Sequence, residues 1–394
     1  MAPGPILSYS GFRAYSECPL RWRFLYVERL PEKPRSFFSF GRSVHSALES
    51  FVAPLAREEA PPSPPGQRTL FDFGESPPGA AVPVPPVEEL LRLYEKLWVS
   101  EGYSSPQEES YYFGLGRELL VRFHRAFVEA APRPLAVEKD LRAEIEGIPI
   151  HGIIDRIDRT PTGGIEILDY KTNKELSRRD AELSDQLTLY QVLVERNYSA
   201  PVESLTLYHL RSQSALRTPR RDPAKVVDLG VRMGEAADGI RAGHFEPQPG
   251  PWCRWCDFRE RCPEFRTLPD DARTRARELV DRWSTLGSQG DETGQERRAL
   301  EREFEALRSQ HAVHRFRGTR GELHYASRRV WRFPEGAQLP GTGGVPGLEG
   351  IAREQWAPLL RDPRLPTEFR RQLAGLGRLE LEWSLVAEEN GGPG

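Results

Sequence analysis

The chain has 394 residues, of which 38% are hydrophobic and 29% are charged, so it is long enough for one large domain or two ordinary ones. No run approaches the roughly 18 apolar residues that a membrane span needs, and the N-terminus lacks the pattern of a signal peptide. We therefore expect a cytoplasmic protein without a membrane partner. The net charge of −3 disfavours a protein that binds nucleic acid through its overall charge, although local basic surfaces stay compatible with it.

The first third of the chain has helical character that is interrupted by one compositional break. Apolar residues recur at helical spacing over residues 6–53, and again from Val87 to about Ala131. Between these segments, residues 54–88 are rich in proline and glycine, a composition that cannot hold a regular element. We interpret this segment as an exposed insertion.

The middle of the chain alternates between strand and helix patterns. Three β-type runs, separated by turns that contain glycine, cover residues 136–145, 148–158 and 164–172. A helix, a strand and another helix follow over residues 177–197, 203–210 and 223–242. This order predicts an α/β fold with a mixed central β-sheet flanked by helices, within a domain at residues 1–266.

Residues 267–394 differ in sequence pattern from the residues before them, and we predict a separate small α+β domain there. A helical hairpin is expected over residues 270–310, short strands over 312–334 and a last strand over 379–387. The short strands are rich in arginine. They either contact a phosphate backbone, with Tyr325 and Trp331 stacking on bases, or form the solvent face of a sheet.

Two aspartates and a lysine form the first candidate active-site pattern. Asp169 and Lys171 are two residues apart on a predicted strand and therefore share one face. Asp155 lies on the preceding strand, and antiparallel pairing would place it opposite Asp169. Converging carboxylates suit a hard cation such as Mg²⁺ or Mn²⁺. An exposed Asp–Lys pair without a catalytic role is the alternative, and Asp158 could face the metal instead of Asp155.

Three further polar residues have weaker patterns. His45 lies in an amphipathic helix, where a histidine is more often a surface or core residue than a ligand. Gln186 and Tyr190 are four residues apart on one helical face, where they could contact a substrate or brace the lysine. The alternative for this pair is an ordinary amphipathic helix with a tyrosine in the core.

Six motifs occur in order over about residues 7–266. They read CPLRWRF, GRSVHSALE, GIIDRID, ILDYKTN, QLTLYQ and GHFEPQPGPWCRWCDFRERCP. Their order resembles that of the RecB-like PD-(D/E)xK nucleases, which implies a restriction-endonuclease-like fold. The resemblance implies a metal-dependent DNA nuclease, an exonuclease or an enzyme that acts on ends and single strands, in DNA repair, recombination or defence. The proline of the family's name is absent, since Ile167 and Leu168 precede Asp169.

The same resemblance assigns roles to individual residues. It implies that Mg²⁺ or Mn²⁺ is bound by His45, Asp155, Asp169 and the backbone carbonyl of Tyr170. It also implies that Lys171 is the catalytic lysine, alongside Asp155 and Asp169, and that Gln186 and Tyr190 are accessory residues.

The chain contains four cysteines, Cys18, Cys253, Cys256 and Cys262. A cytoplasmic location disfavours disulfides, and four thiolates that converge would hold zinc or an iron–sulfur cluster. Zinc sites usually show two close cysteine pairs, whereas here three cysteines cluster and one lies far upstream. This layout resembles the 4Fe–4S site of AddB-type nuclease domains, which implies a structural cluster shielded by Trp252, Trp255 and Phe258.

The sequence also suggests interactions with partners. Gln67, Leu70 and Phe71, within residues 67–73, resemble the short peptide with which bacterial proteins dock onto the sliding clamp, although they could instead form a hydrophobic tether. The sequence lacks the motif G-x-x-x-x-G-K-S/T, so any strand unwinding would come from a helicase in trans. The alternative to a nuclease is a catalytically silent iron–sulfur scaffold that recruits such partners to DNA.

Overall fold

The computed structural model describes residues 6–57, 83–286, 291–319, 321–340, 351–360, 362 and 365–388. The predicted clamp motif at Gln67, Leu70 and Phe71 lies outside these residues, as does most of the predicted insertion. The chain divides into two compact units, formed by Met1–Tyr9 with Lys33–Met233 and by Ser10–Glu32 with Gly234–Gly394. Among the described residues, no helix has both the length and the apolar character for crossing a bilayer.

The helices follow the predicted pattern with several breaks. Residues 6–53, predicted as helical throughout, contain separate helices and a π-helical turn at Arg23–Val27, and the predicted helix at 177–197 is two helices. In chain order, the helices are α1 (Tyr9–Glu17), α2 (Pro19–Trp22), α3 (Ser36–Val52), α4 (Val87–Lys96), α5 (Pro106–Ala130), α6 (Arg178–Glu182), α7 (Asp185–Asn197), α8 (Pro223–Arg241), α9 (Asp270–Thr285), α10 (Asp291–His311), α11 (Trp356–Leu359) and α12 (Thr367–Leu376).

The first unit contains a five-stranded mixed sheet. Its strands adjoin in the order β1 (Pro134–Ile145), β2 (Ile148–Arg159), β3 (Ile165–Lys171), β4 (Val202–His209) and β5 (Ser214–Pro219). The β3–β4 pair is parallel and the other pairs are antiparallel. The predicted α/β fold with a mixed central sheet flanked by helices is therefore confirmed, and β5 is a strand that the sequence did not predict.

Helix α7 covers one part of this sheet and carries two of the predicted site residues. It begins after Ser184, whose hydroxyl accepts a hydrogen bond from the N–H of Leu187 at 3.2 Å. Gly152 on β2 lets α7 approach closely, because a Cβ there would lie 2.8 Å from Leu193 Cδ1 and 3.1 Å from Tyr190 Cε1. A side chain at position 152 would therefore displace the helix that carries Gln186 and Tyr190.

Helices α3, α4 and α5 form the second packing layer of this unit. Their apolar faces enclose one buried cluster, which also includes Tyr170 of β3. The amphipathic pattern of α3 orients its apolar residues inwards, and they pack together as Phe40, Val44, Leu48 and Phe51. The rigid packing of α3 fixes the position of His45, which lies on the same helix.

The second unit has a smaller sheet and a helical hairpin. Strands β6 (Arg315–Arg317), β7 (Glu322–Arg332) and β8 (Arg378–Glu388) are antiparallel and adjoin in that order. Helices α9 and α10 pack on one another through a buried cluster that includes Leu279, Trp283 and Phe304. The two compact units are divided differently from the predicted domains, whose boundary lies between residues 266 and 267. That boundary stays a prediction about which segments fold separately.

Candidate active site and metal centre

An imidazole and two carboxylates converge in the first unit. His45 comes from α3, Glu138 from β1 and Asp155 from β2, and their potential ligand atoms all lie within 4.8 Å of one another. Nδ1 of His45 is 3.4 Å from Oδ2 of Asp155. One ring nitrogen with carboxylate oxygens at this spacing fits a divalent cation.

Glu138 is the member of this group that the sequence interpretation missed. It lies in β1 at the position opposite Asp155, since the flanking pairs are Val137 with Arg156 and Lys139 with Ile154. Its backbone has a φ of 46°, in the left-handed region that side chains rarely adopt. Such strain costs about 1–3 kcal/mol and is typical of functional sites.

Asp169 and Lys171 lie beside this group on β3. Nζ of Lys171 is 2.6 Å from Oδ2 of Asp169, and Asp169 is almost completely buried. The backbone N–H of Tyr170 donates a hydrogen bond of 2.7 Å to Oδ2 of Asp155. Tyr170 lies between Asp169 and Lys171 on β3, so its hydrogen bond links the segment that bears this ion pair to Asp155 on β2. This agrees with the predicted antiparallel pairing of the two strands.

The predicted accessory pair completes a hydrogen-bonded chain. Nζ of Lys171 donates to Oε1 of Gln186 at 2.8 Å, and Nε2 of Gln186 donates to the hydroxyl oxygen of Tyr190 at 2.9 Å. Because an ammonium can only donate, the amide oxygen of Gln186 must face Lys171. The predicted contact between this pair and the lysine is thus present in the structure.

The charges of these groups are strongly coupled. Burial raises the pKa of Glu138 to about 7, and the nearby Asp155 acts in the same direction. Burial also raises the pKa of Asp169 to about 6 although Lys171 opposes the shift. The carboxylate forms of Glu138 and Asp169 are therefore disfavoured in this site. A bound cation would supply the positive charge that stabilises them.

The two basic groups show the complementary effect. Burial alone would lower the pKa of Lys171, but Asp169 outweighs it and the pKa is raised. Burial likewise opposes the charge on His45, and Asp155 raises the pKa of that imidazole above its ordinary value. Lys171 is therefore an ammonium at neutral pH.

Asp158, the alternative to Asp155, does not belong to this site. It is buried, and its Oδ2 lies 2.9 Å from a guanidinium nitrogen of the buried Arg156. Another nitrogen of Arg156 donates to the hydroxyl of Tyr170 at 2.6 Å. This ion pair lies beneath the strand that bears Asp169 and Lys171, on the opposite side of β2 from Asp155.

All four cysteines belong to the second unit and are free thiols. Cys18 and Cys262 are buried in an apolar cluster with Phe24 and Phe258. Burial raises the pKa of Cys18, Cys256 and Cys262, and each of these thiols also interacts electrostatically with at least one other of the four.

Backbone N–H groups donate to two of the sulfur atoms, from Gln248 to Cys18 and from Gly250 to Cys253, each at 3.4 Å. Such hydrogen bonds stabilise metal-bound thiolates, so the set fits a metal or cluster site. Of the predicted shielding residues, Phe258 is buried and Trp252 packs against the cluster, but Trp255 is 63% exposed and does not shield it.

The arginine-rich strands of the second unit are largely neutralised by glutamates. Arg328 and Arg332 pair with Glu382, and Arg317 pairs with Glu322. Tyr325, expected to stack on bases, is buried in the core of this unit. These contacts favour a solvated structural face over the predicted nucleic-acid contact.

Comparisons with known proteins cover up to about two thirds of the chain. The gene 69 proteins of Mycobacterium phages D29 and L5 are 23% and 22% identical to it over 285 and 295 residues, which are 66% of this chain and 98% and 97% of the phage proteins. An ATP-dependent helicase/nuclease subunit from Oceanobacillus iheyensis is 36% identical over 85 residues, 20% of this chain and 7% of that protein.

A crystal structure of a protein from Eubacterium rectale, provisionally named an exonuclease, covers 67% of this chain and 90% of its own. Its TM-score is 0.40 and its sequence identity 13%, a similarity that defines neither activity nor substrate. The family model of the PD-(D/E)XK nuclease superfamily matches residues 6–263, which is more than half of the chain and contains every residue of the site described above. The chain therefore belongs to the PD-(D/E)XK nuclease superfamily.

Proposed function

We propose that the chain is a deoxyribonuclease that depends on Mg²⁺ or Mn²⁺ and acts on DNA ends or single strands. The observation that carries the proposal is the convergence of His45, Glu138 and Asp155 next to the Lys171–Asp169 ion pair. A catalytically silent scaffold would not need these groups, and retaining a buried Asp169 has an energetic cost.

His45, Glu138, Asp155 and Asp169 would hold the metal ion, with the carbonyl of Tyr170 as the further ligand that the family resemblance implies. When bound, such an ion polarises the phosphate and activates water. The protein's own side chains position the reacting groups.

Lys171 is held by Asp169 and Gln186, stays protonated, and places a positive charge where negative charge develops on the substrate. It therefore acts as a charge and a hydrogen-bond donor and not as a base. Tyr190 keeps its proton, because burial raises its pKa, and its hydroxyl holds Gln186 in place.

We further propose that Cys18, Cys253, Cys256 and Cys262 hold a structural 4Fe–4S cluster. The electrostatic interactions among the four thiols and the N–H groups that face two of them support this assignment. Anaerobically purified protein should be brown and contain iron and sulfide in equal amounts. A colourless protein that contains zinc would refute the cluster.

Partners and pathway are also proposals. A matched relative is named as part of a helicase/nuclease, and this chain has no phosphate-binding loop of its own, which supports a helicase partner in trans. Docking to the sliding clamp through residues 67–73 rests on the sequence motif alone. A role in DNA repair, recombination or defence follows from the family resemblance.

The activity is tested with labelled single-stranded and double-stranded DNA in Mg²⁺ or Mn²⁺. Lys171→Ala should reduce cleavage by at least about 100-fold, the typical value of one positioned electrostatic group. Lys225→Ala is the matched control, since this lysine on α8 is exposed and its ammonium donates to the carbonyl of Glu182, away from the site. Equal cleavage by wild type and Lys171→Ala would refute the assignment.

A further inference from the structure

Two adjacent phenylalanines are exposed at the start of the helix that carries His45. Phe37 and Phe38 lie in the first turn of α3 and are 47% and 56% exposed, and their ring centroids are 4.3 Å apart. Exposed single apolar residues are ordinary, but two neighbouring aromatic rings next to a polar site are not. Their position on α3 relative to His45 indicates which ligand these rings would bind.

Phe38 lies on the same face of α3 as His45. The two residues are seven positions apart, which is almost two helical turns, so their side chains project within about 20° of one another. At 1.5 Å per residue the separation along the helix is about 10 Å. This distance matches about three stacked nucleotides at 3.4 Å per step.

Two exposed basic residues lie close in sequence to a contact between α3 and the segment that follows β3. Gly41 of α3 approaches the segment that follows Lys171, because a Cβ at Gly41 would lie 3.3 Å from Oγ1 of Thr172. The next residue on the helix is the exposed Arg42, and two residues beyond Thr172 is the exposed Lys174. Two cations at this approach suit the phosphate backbone of a strand that enters the site.

From these observations we propose that Phe37 and Phe38 form a stacking platform for unpaired bases about three nucleotides from the cleaved phosphate. The proposal rests on the proposed nuclease function and names its substrate class: single-stranded DNA or an end whose bases are unpaired. Paired bases within a duplex already stack on one another and cannot offer a free face to the rings. The platform would therefore select unpaired DNA without reading its sequence.

Binding is measured separately from cleavage. In an Asp169→Asn background without added metal, the full-length protein is titrated into a single-stranded oligonucleotide that carries 2-aminopurine at one position. The platform predicts quenching of the fluorescent base two to four nucleotides from the bound end. Phe37→Ala/Phe38→Ala should lose this quenching and bind about tenfold more weakly, the effect expected when one stacked base loses its partner.

Matched variants separate stacking from general apolar contact. Phe37→Trp/Phe38→Trp keeps flat rings and should retain the affinity, whereas Phe37→Leu/Phe38→Leu keeps apolar bulk and should resemble the alanine variant. Val128→Ala removes an exposed apolar side chain far along α5 and should have no effect. Thermal melting of every variant verifies folding, and the leucine pair carries the test if the alanine pair does not fold.

The outcomes distinguish this proposal from the proposed function. If wild type cleaves DNA and Asp169→Asn does not, but the leucine and alanine variants bind single strands like their parent, the platform is wrong and the nuclease assignment stands. If wild type cleaves no DNA with either metal, the nuclease assignment fails, and the binding assay still decides whether Phe37 and Phe38 stack on unpaired bases.

Discussion

Replacing Asp158 with Asn should destabilise the first unit more than any exposed charge change. Asp158 and Arg156 are both buried, and the closest oxygen–nitrogen distance between them is 2.9 Å. The amide has nearly the shape of the carboxylate, so the substitution removes a charge without opening a cavity. Arg156 keeps its charge at every pH relevant to folding and would then be buried without the carboxylate it pairs with, leaving the weaker attraction of Glu166.

The expected loss is about 3–5 kcal/mol, the usual result of removing one partner of a buried ion pair. Burial raises the pKa of Asp158 even with Arg156 beside it, which shows that the carboxylate itself pays a desolvation penalty. Burial opposes the charge on Arg156, and Asp158 favours that charge and raises the pKa of the guanidinium, so the carboxylate is needed to offset the burial of Arg156. For a unit of this size the loss corresponds to roughly 10 °C in melting temperature.

Thermal and urea unfolding followed by tryptophan fluorescence measure this loss. Glu89→Gln is the matched control, since it makes the same carboxylate-to-amide change in the exposed pair with Arg92 on α4. That pair should be worth less than about 1 kcal/mol. If Asp158→Asn stays within 1 kcal/mol of the parent, the attraction to Arg156 only offsets the burial of the carboxylate, and the reasoning fails.

Three further outcomes follow from the site itself. Without metal, the pKa of Glu138 is raised to about 7 and that of Asp169 to about 6, from unfolded values near 4. The melting temperature should therefore fall as the pH rises between about 4 and 7. Glu138→Gln should flatten this dependence. Mn²⁺ at 100 times its Kd should stabilise the protein at pH 8 by about 2.7 kcal/mol, and His45→Ala should remove that gain. Gln186→Ala should slow cleavage roughly tenfold, because Lys171 loses one of its two acceptors and is held less firmly; an unchanged rate would contradict this role.

The sequence was sufficient for the residues whose positions follow from periodicity. Alternation on neighbouring strands predicted that Asp155 faces Asp169, and the hydrogen bond from the intervening Tyr170 to Asp155 agrees with that pairing. Helical spacing predicted one face for Gln186 and Tyr190, which share a hydrogen bond. In each case the local repeat of the backbone determines where the side chain goes.

Glu138 was missed because its role depends on an unusual backbone angle. Glu146 and Gly147 form the turn between β1 and β2, both with positive φ, and Ile145 pairs with Ile148 across it. Counting back from this turn places Glu138 opposite Asp155, so the register was available from the sequence. The positive φ of Glu138 was not, because no propensity predicts a glutamate there.

The composition of the second unit could not be predicted from local patterns. Residues 10–32 group with residues 234–394 through contacts between segments that are distant in sequence. Cys18 was the one indication, since its expected partners lie at Cys253 and beyond. The exposure of Trp255 likewise depends on how the cysteine segment folds, which its sequence does not specify.

The split composition of the second unit has a consequence for protein synthesis. Cys18 leaves the ribosome early, and roughly 235 residues must be translated before Cys253 follows it. At about 5–20 residues per second this interval is roughly 10 to 50 seconds. During that time the first unit can fold. The thiol of Cys18 and its apolar neighbours Phe24 and Leu20 still lack the downstream residues Phe258 and Cys262 that they pack against. The thiol of Cys18 is therefore open to oxidation until the downstream cysteines have been made.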